Sequence, residues 1–199
     1  MVAAYYPDWA YDRFPPEKID FGRFDWIDFA FAIPTEDLEL AWDDAAKSPG
    51  ILHRLVKAAH AAGKKVKLSI GGWTGSGHFS SAVHDEQSRA KFAKSLVDAY
   101  KEFELDGLDI DWEYPGREGA SGNKVDPNDS KNLLAFLQLL RQELPKEAKI
   151  TAATLPSTFA GEDGEPMVDV SEFAKVLDWV LLMNYDVWGG AFLSISSFG

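Results

Sequence analysis

The chain has 199 residues, 46% of them hydrophobic, and no cysteine. That is enough for one domain with a sizeable core, and it excludes disulfides and thiolate metal sites. A formal net charge of −12, with no Lys/Arg-rich stripe, argues against nucleic acid and an anionic membrane surface as partners, whereas a neutral ligand meets no such repulsion.

The first twenty residues, MVAAYYPDWAYDRFPPEKID, lack a basic n-region and a long apolar h-region, so no secretory signal is expected. No apolar run approaches the ~20 residues of a membrane-spanning helix. Six short segments rich in Val, Ile, Phe, Tyr and Trp read as strands: 2–7, 26–32, 66–73, 107–113, 150–156 and 179–186. Amphipathic helices fall between most of them. One starts at Ser48-Pro49 and runs through ILHRLVKAAHAA to a stop at Gly63. A longer one covers 85–105, with Phe92, Leu96, Val97 and Tyr100 on one face; 130–144 is closed by Pro145, and 169–177 follows Asp169 as N-cap. The stretch TGSGHFSSAVH, 74–84, is expected to be a mobile loop. There is no internal repeat, low-complexity segment or interdomain linker.

Strand and helix in alternation give an α/β protein with a parallel sheet and right-handed crossovers. Two architectures compete, a doubly wound open sheet and a (β/α) barrel. No glycine-rich phosphate loop follows any strand, which counts against a nucleotide-binding open sheet. Polar and aromatic residues gather instead at the C-terminal ends of strands, where barrel enzymes place their sites.

The segment DGLDIDWEYPG, 106–116, mixes carboxylates into an apolar strand. With a period of two, Asp109, Asp111 and Glu113 share one face, and Leu108, Ile110 and Trp112 the other. In a barrel the acidic face looks inward. Three close carboxylates cannot all ionise cheaply, so Asp109 and Asp111 are expected to share a proton. Glu113, last on the strand, suits a general acid at the barrel mouth. Asp106 falls outside the alternation and is expected to bond backbone at the strand entrance. A structural or metal-binding acidic cluster is the alternative. The spacing does not fit an EF-hand, and the other strands offer few acids for a Mg²⁺ site. His53, His60, His78 and His84 show no ligand spacing.

The form D-x-x-D-x-D-x-E, residues 106 to 113, resembles the signature of glycoside hydrolase family 18, the chitinases and their relatives. Four other segments resemble family strands in the family's order: AYYPDW (4–9), FAFA (29–32), KLSIGGW (67–73) and MNYD (183–186). The chain looks most like fungal chitinases. The resemblance implies a (β/α)8 TIM barrel and hydrolysis of β-1,4-linked N-acetylglucosamine, in chitin or chitooligosaccharides, with retention and without a cofactor or metal. It further implies Glu113 as acid, the substrate's own acetamide as nucleophile, Asp111 turning toward the acetamide N–H, and Tyr185 aligning its carbonyl. Asp109 would hold the proton that lets Asp111 switch partners. Met183 and Asp186 would shape the floor under the reacting sugar. Tyr5, Phe31 and Trp73 would line the cleft, and Gly72 would let the backbone approach the substrate. An extracellular location is implied as well. A non-catalytic chitin-binding homologue is the competing class, and no oligomeric state follows from either.

A full barrel has eight strands in ~250 residues. Only six are read here, and the last thirteen residues, VWGGAFLSISSFG, do not supply the rest. Residues 1–199 are therefore expected to form a single, C-terminally incomplete catalytic domain with about six of the eight β/α units.

Overall fold

The computed structural model describes residues 1–157 and 159–185. Six strands run parallel in the order β1 (Ala3–Pro7), β2 (Trp26–Pro34), β4 (Lys65–Gly71), β5 (Gly107–Asp111), β6 (Lys149–Thr154) and β7 (Trp179–Leu182). They are the six expected segments. A short β3 (Leu40–Trp42) folds back antiparallel on the end of β2. Helices α1 (Ser48–Ala61), α3 (Glu86–Glu102) and α4 (Asp129–Glu143) cover the outer face, with short helices α2 (Phe79–Val83) and α5 (Ser171–Ala174). Consecutive parallel strands joined by helices make an α/β half-barrel, and among the described residues β1 and β7 are the ends of the path.

The outer faces of the strands are apolar because helices cover them. Leu108, Ile110 and Trp112 are buried with Phe92 and Leu96 of α3 and Phe136 and Leu137 of α4. An aromatic series backs β5: Trp112 stacks on Phe79, Phe79 meets Phe92 edge-on, and Phe92 stacks on Phe136, with centroids 5.1, 6.0 and 5.0 Å apart. Such pairs hold the acidic strand against its helices. Helix α3 is capped by Asp85, which accepts from Ser88 N. Asp106 accepts from Val66 N at 2.9 Å and pairs with Lys65 and His60, the expected bond at the strand entrance.

Residues 74–84 depart from expectation. They form a 3-10 turn, Gly75–His78, that runs into α2. Ser76, Phe79, Ala82 and Val83 are fully buried. Three glycine or serine residues at 75–77 mimic a loop composition, but Phe79 anchors the segment in the core. The expected strand ends are also too long. Regular pairing stops at Gly71, Asp111 and Leu182; beyond Asp111 the Ser76 side chain takes the Glu113 N–H.

Candidate active site

Parallel register places Ser69, Asp109 and Thr151 side by side on β4, β5 and β6. All three are fully buried. Asp109 Oδ2 accepts from Ser69 Oγ and from the Tyr5 hydroxyl of β1, each at 2.8 Å, and Oδ1 accepts from Thr151 Oγ1 at 2.6 Å. Three hydroxyls from three strands thus fix both oxygens of this carboxyl. Burial and the charge of Asp109 in turn hold the Tyr5 phenol far above its ordinary range, so it keeps its proton.

Asp111, two residues along the same face, has a different environment. It is buried, and its Oδ1 has no hydrogen-bond partner among the described residues. Desolvation, then the charges of Asp109 and Glu113, raise it to about 8. Asp111 is therefore the carboxyl that holds a proton well above the usual aspartate range, while Asp109 is fixed by hydroxyls from three other strands.

Glu113 lies just beyond the paired part of β5 and is half-buried. Its backbone is fixed from two sides. Ser76 Oγ accepts from Glu113 N at 2.9 Å and donates to Gly72 O at 2.8 Å, with Asp111 O at 3.2 Å. Asn123 Nδ2 donates to Glu113 O at 3.2 Å. Gly119 passes so close that a Cβ there would lie 1.9 Å from Glu113 O. The Tyr114 hydroxyl bonds the Glu113 carboxyl; burial, followed by that charge, raises the phenol. Ser76, Tyr114, Gly119 and Asn123 were all missed in the sequence. Only the spatial return of their loops onto β5 marks them.

Gly71 and Gly72 close the end of β4 with φ of +113° and +81°. Gly72 N donates to Asp111 O at 2.8 Å. A Cβ on Gly71 would sit 2.1 Å from Asp111 O, and one on Gly72 3.0 Å from the Phe31 ring. The two glycines thus let Asp111 and Phe31 approach the strand end. Phe31 sits where the β2–β4 register shifts. Its ring lies 6.4 Å from those of Tyr5 and Trp9, and Trp73 meets Tyr114 edge-on at 6.3 Å. Trp9 is 67% exposed and Trp73 51%, so both offer flat faces at the rim. Trp9 falls within the AYYPDW segment but was not singled out from it.

On β7's inward face Met183 is buried, and its N–H bonds Thr154 O at 2.9 Å. Tyr185, two residues on, is 62% exposed and acts electrostatically on Tyr114. Asp186 lies outside the described residues. Among the described residues, no group of three His, Asp or Glu is placed to hold a metal ion, and no helix is long and apolar enough to cross a membrane.

Buried inward carboxyls in unlike environments, a half-buried glutamate at the mouth and an aromatic rim suit proton transfer to a neutral, ring-faced ligand. Comparison with known proteins gives the family and the fold. The sequence profile described as glycosyl hydrolases family 18 matches residues 1–194. A chitinase-like effector of Moniliophthora roreri is 43% identical over 95% of this chain and 46% of its own length. The crystal structure of a chitinase from Rhizomucor miehei superposes with a TM-score of 0.86 at 37% identity, over 94% of this chain and 57% of that one. The Ostrinia furnacalis Group II chitinase catalytic domain 2, a mutant in complex with penta-N-acetylchitooctaose, (NAG)5, gives 0.80 at 28% identity, over 93% and 50%. The chain spans about half the length of these relatives.

Proposed function

The chain belongs to family 18 of the glycosyl hydrolases, and on that premise we propose that it carries the acid and the acetamide-handling part of a retaining, substrate-assisted chitinase site. The observation that carries this reading is Asp111: a buried carboxyl that keeps its proton to about pH 8, with Oδ1 unpartnered, two residues from a glutamate at the cleft mouth. An unsatisfied buried acceptor is costly. A substrate acetamide N–H is the donor that would satisfy it.

Glu113 protonates the glycosidic oxygen, and its main chain is already fixed for that task by Ser76 and Asn123. As the bond breaks, the substrate's acetamide carbonyl attacks the anomeric carbon and forms an oxazolinium ion. Asp111 bonds the acetamide N–H and passes its own proton to Asp109. Its resulting negative charge then faces the positive ring, where a dry site makes the attraction strong. Tyr185 donates to the acetamide carbonyl and aligns it. Water, activated by the deprotonated Glu113, then opens the oxazolinium from the face the leaving group vacated, so configuration is retained. Tyr5, Phe31, Trp73 and Trp9 offer apolar ring faces to pyranose rings, Gly72 gives backbone access, and Met183 contributes to the floor. The ligand is chitin or a chitooligosaccharide, met outside the cell.

Replacing the acid tests this. Glu113→Gln keeps the shape of the side chain and removes its proton. kcat on a chitooligosaccharide is expected to fall by at least ~10²–10⁴-fold, with binding by calorimetry unchanged. Activity within threefold of the parent removes Glu113 from the mechanism. A second reading, binding of chitooligosaccharides without turnover, is favoured by the 43% identity to a relative named as a chitinase-like effector. It is supported if the parent binds and is as inert as Glu113→Gln.

A further inference from the structure

Below the acidic ladder, the interior of the half-barrel holds a second charged pair that the steps above do not use. Asp28 and Lys67 are in register on β2 and β4. Both are fully buried, with Nζ 3.1 Å from Asp28 Oδ1. Lys67 Nζ also donates to Thr151 Oγ1 at 2.9 Å, and it sits 4.6 Å from the Trp179 ring centroid and 5.8 Å from that of Trp26. A buried ion pair is seldom more stabilising than apolar residues of the same volume. Its presence directly beneath Asp109 calls for a different account.

Hydrogen direction supplies it. An ammonium group only donates, and a threonine hydroxyl has one proton. Because Thr151 Oγ1 accepts from Lys67, its own proton is directed to Asp109 Oδ1, 2.6 Å away. That oxygen faces a donor that cannot turn. The other oxygen, Oδ2, faces the hydroxyls of Tyr5 and Ser69, which are free to rotate from donor to acceptor. Resting on the proposed mechanism, we infer that Lys67 is a positioning residue: through Thr151 it keeps a hydrogen-bond donor on Asp109 Oδ1 and so directs the proton released by Asp111 onto Oδ2. In that transfer the Asp111 O–H bond breaks and an Asp109 Oδ2–H bond forms. One of the two rotatable hydroxyls turns to accept, and no other reactant is needed.

Among the described residues, the titratable or charged groups around Asp109 are Tyr5 from β1, Asp28 from β2, Lys67 from β4, and Asp111 and Glu113 on its own chain segment. Asp28 is raised to about 7, by burial and by Asp109, against the pull of Lys67. Loss of Lys67 therefore leaves Asp28 neutral, and the variant carries no stranded anion there.

The test follows protonation directly, by carbon NMR of the folded protein labelled at its aspartate carboxyls, with Asp109 assigned by its loss in Asp109→Asn. In Thr151→Val, Asp109 is expected to take up its proton at least about one pH unit higher than in the parent, the size of one hydrogen bond to a charged group. Thr151→Ser keeps the hydroxyl and is expected to titrate as the parent does. Lys67→Met is expected to shift the same way by less, because the Thr151 hydroxyl can then turn. Parent-like titration in both Thr151→Val and Lys67→Met overturns the inference. Should Thr151→Val fail to fold, Lys67→Met decides alone. The readout needs no turnover, so a protein that binds without hydrolysing answers it equally well. In a hydrolysing protein, the acid limb of kcat/KM is expected to move with the NMR titration.

Discussion

Ionising a buried carboxyl whose Oδ1 has no partner costs free energy, so Asp111 keeps its proton at neutral pH. Its native value of about 8 lies well above the 3.8 of an unperturbed aspartate. Below the lower value, folded and unfolded chains both hold the proton and there is no penalty. Between the two, the unfolded chain releases it and the folded chain keeps it, so stability falls as pH rises, at up to ~1.4 kcal/mol per unit. Asp111→Asn removes this titration. The variant is expected to be more stable than the parent at pH 8 and nearly equal to it near pH 4, at roughly 2–4 °C of Tm per kcal/mol, while losing most turnover. An equal Tm difference at both pH values contradicts the assignment of the proton to Asp111. The acidic ladder itself was legible, since strand period alone puts Asp109, Asp111 and Glu113 on one face. Lys67, Ser76 and Thr151 were not. A hydroxyl or a lysine in an apolar segment has no distinguishing period, and its meaning appears only once register sets it beside Asp109.

At the scale of elements, the ends of β4 and β5 are locked together by Ser76, through contacts to Gly72, Asp111 and Glu113. Ser76→Ala leaves a buried N–H without its acceptor, which costs about 1–3 kcal/mol. Because that N–H belongs to Glu113, kcat is expected to fall more than KM rises, and a KM effect with unchanged kcat contradicts the positioning role. Gly71→Ala is expected to be worse. Its Cβ would overlap the Asp111 carbonyl at 2.1 Å, and φ is +113°, so both strain and displacement of Asp111 follow. A loss under ~0.5 kcal/mol, the range of ordinary surface changes, contradicts that geometry; urea unfolding measures it. All six parallel strands were legible from apolar runs and their aromatic content. Three-residue β3 was not, being too short for any period, and residues 74–84 were misread because glycine and serine outweigh one buried phenylalanine in composition but not in packing.

For the whole molecule, the (β/α) order exposed the architecture early, because strand, helix and crossover rules leave few topologies. Contacts across the interior were beyond its reach. Trp26 and Trp179, the first residues of β2 and β7, meet edge-on at 5.4 Å, closing the lower end of the half-barrel beneath Lys67. The net charge of −12 bears on the choice of ligand. A neutral sugar polymer has no charge to screen, so KM for a chitooligosaccharide is expected to stay within twofold between low and high salt, where the Debye length falls from about 30 to 3 Å. A steep salt dependence points to a charged ligand instead. The central claim is that this cleft cleaves its sugar with retention of configuration, and the anomeric proton spectrum of a chitooligosaccharide digest tests it most directly. The expected result is that new reducing ends appear first as the β-anomer and equilibrate later to the α-anomer. Ends that appear first as the α-anomer, or no ends above the level of Glu113→Gln, contradict it.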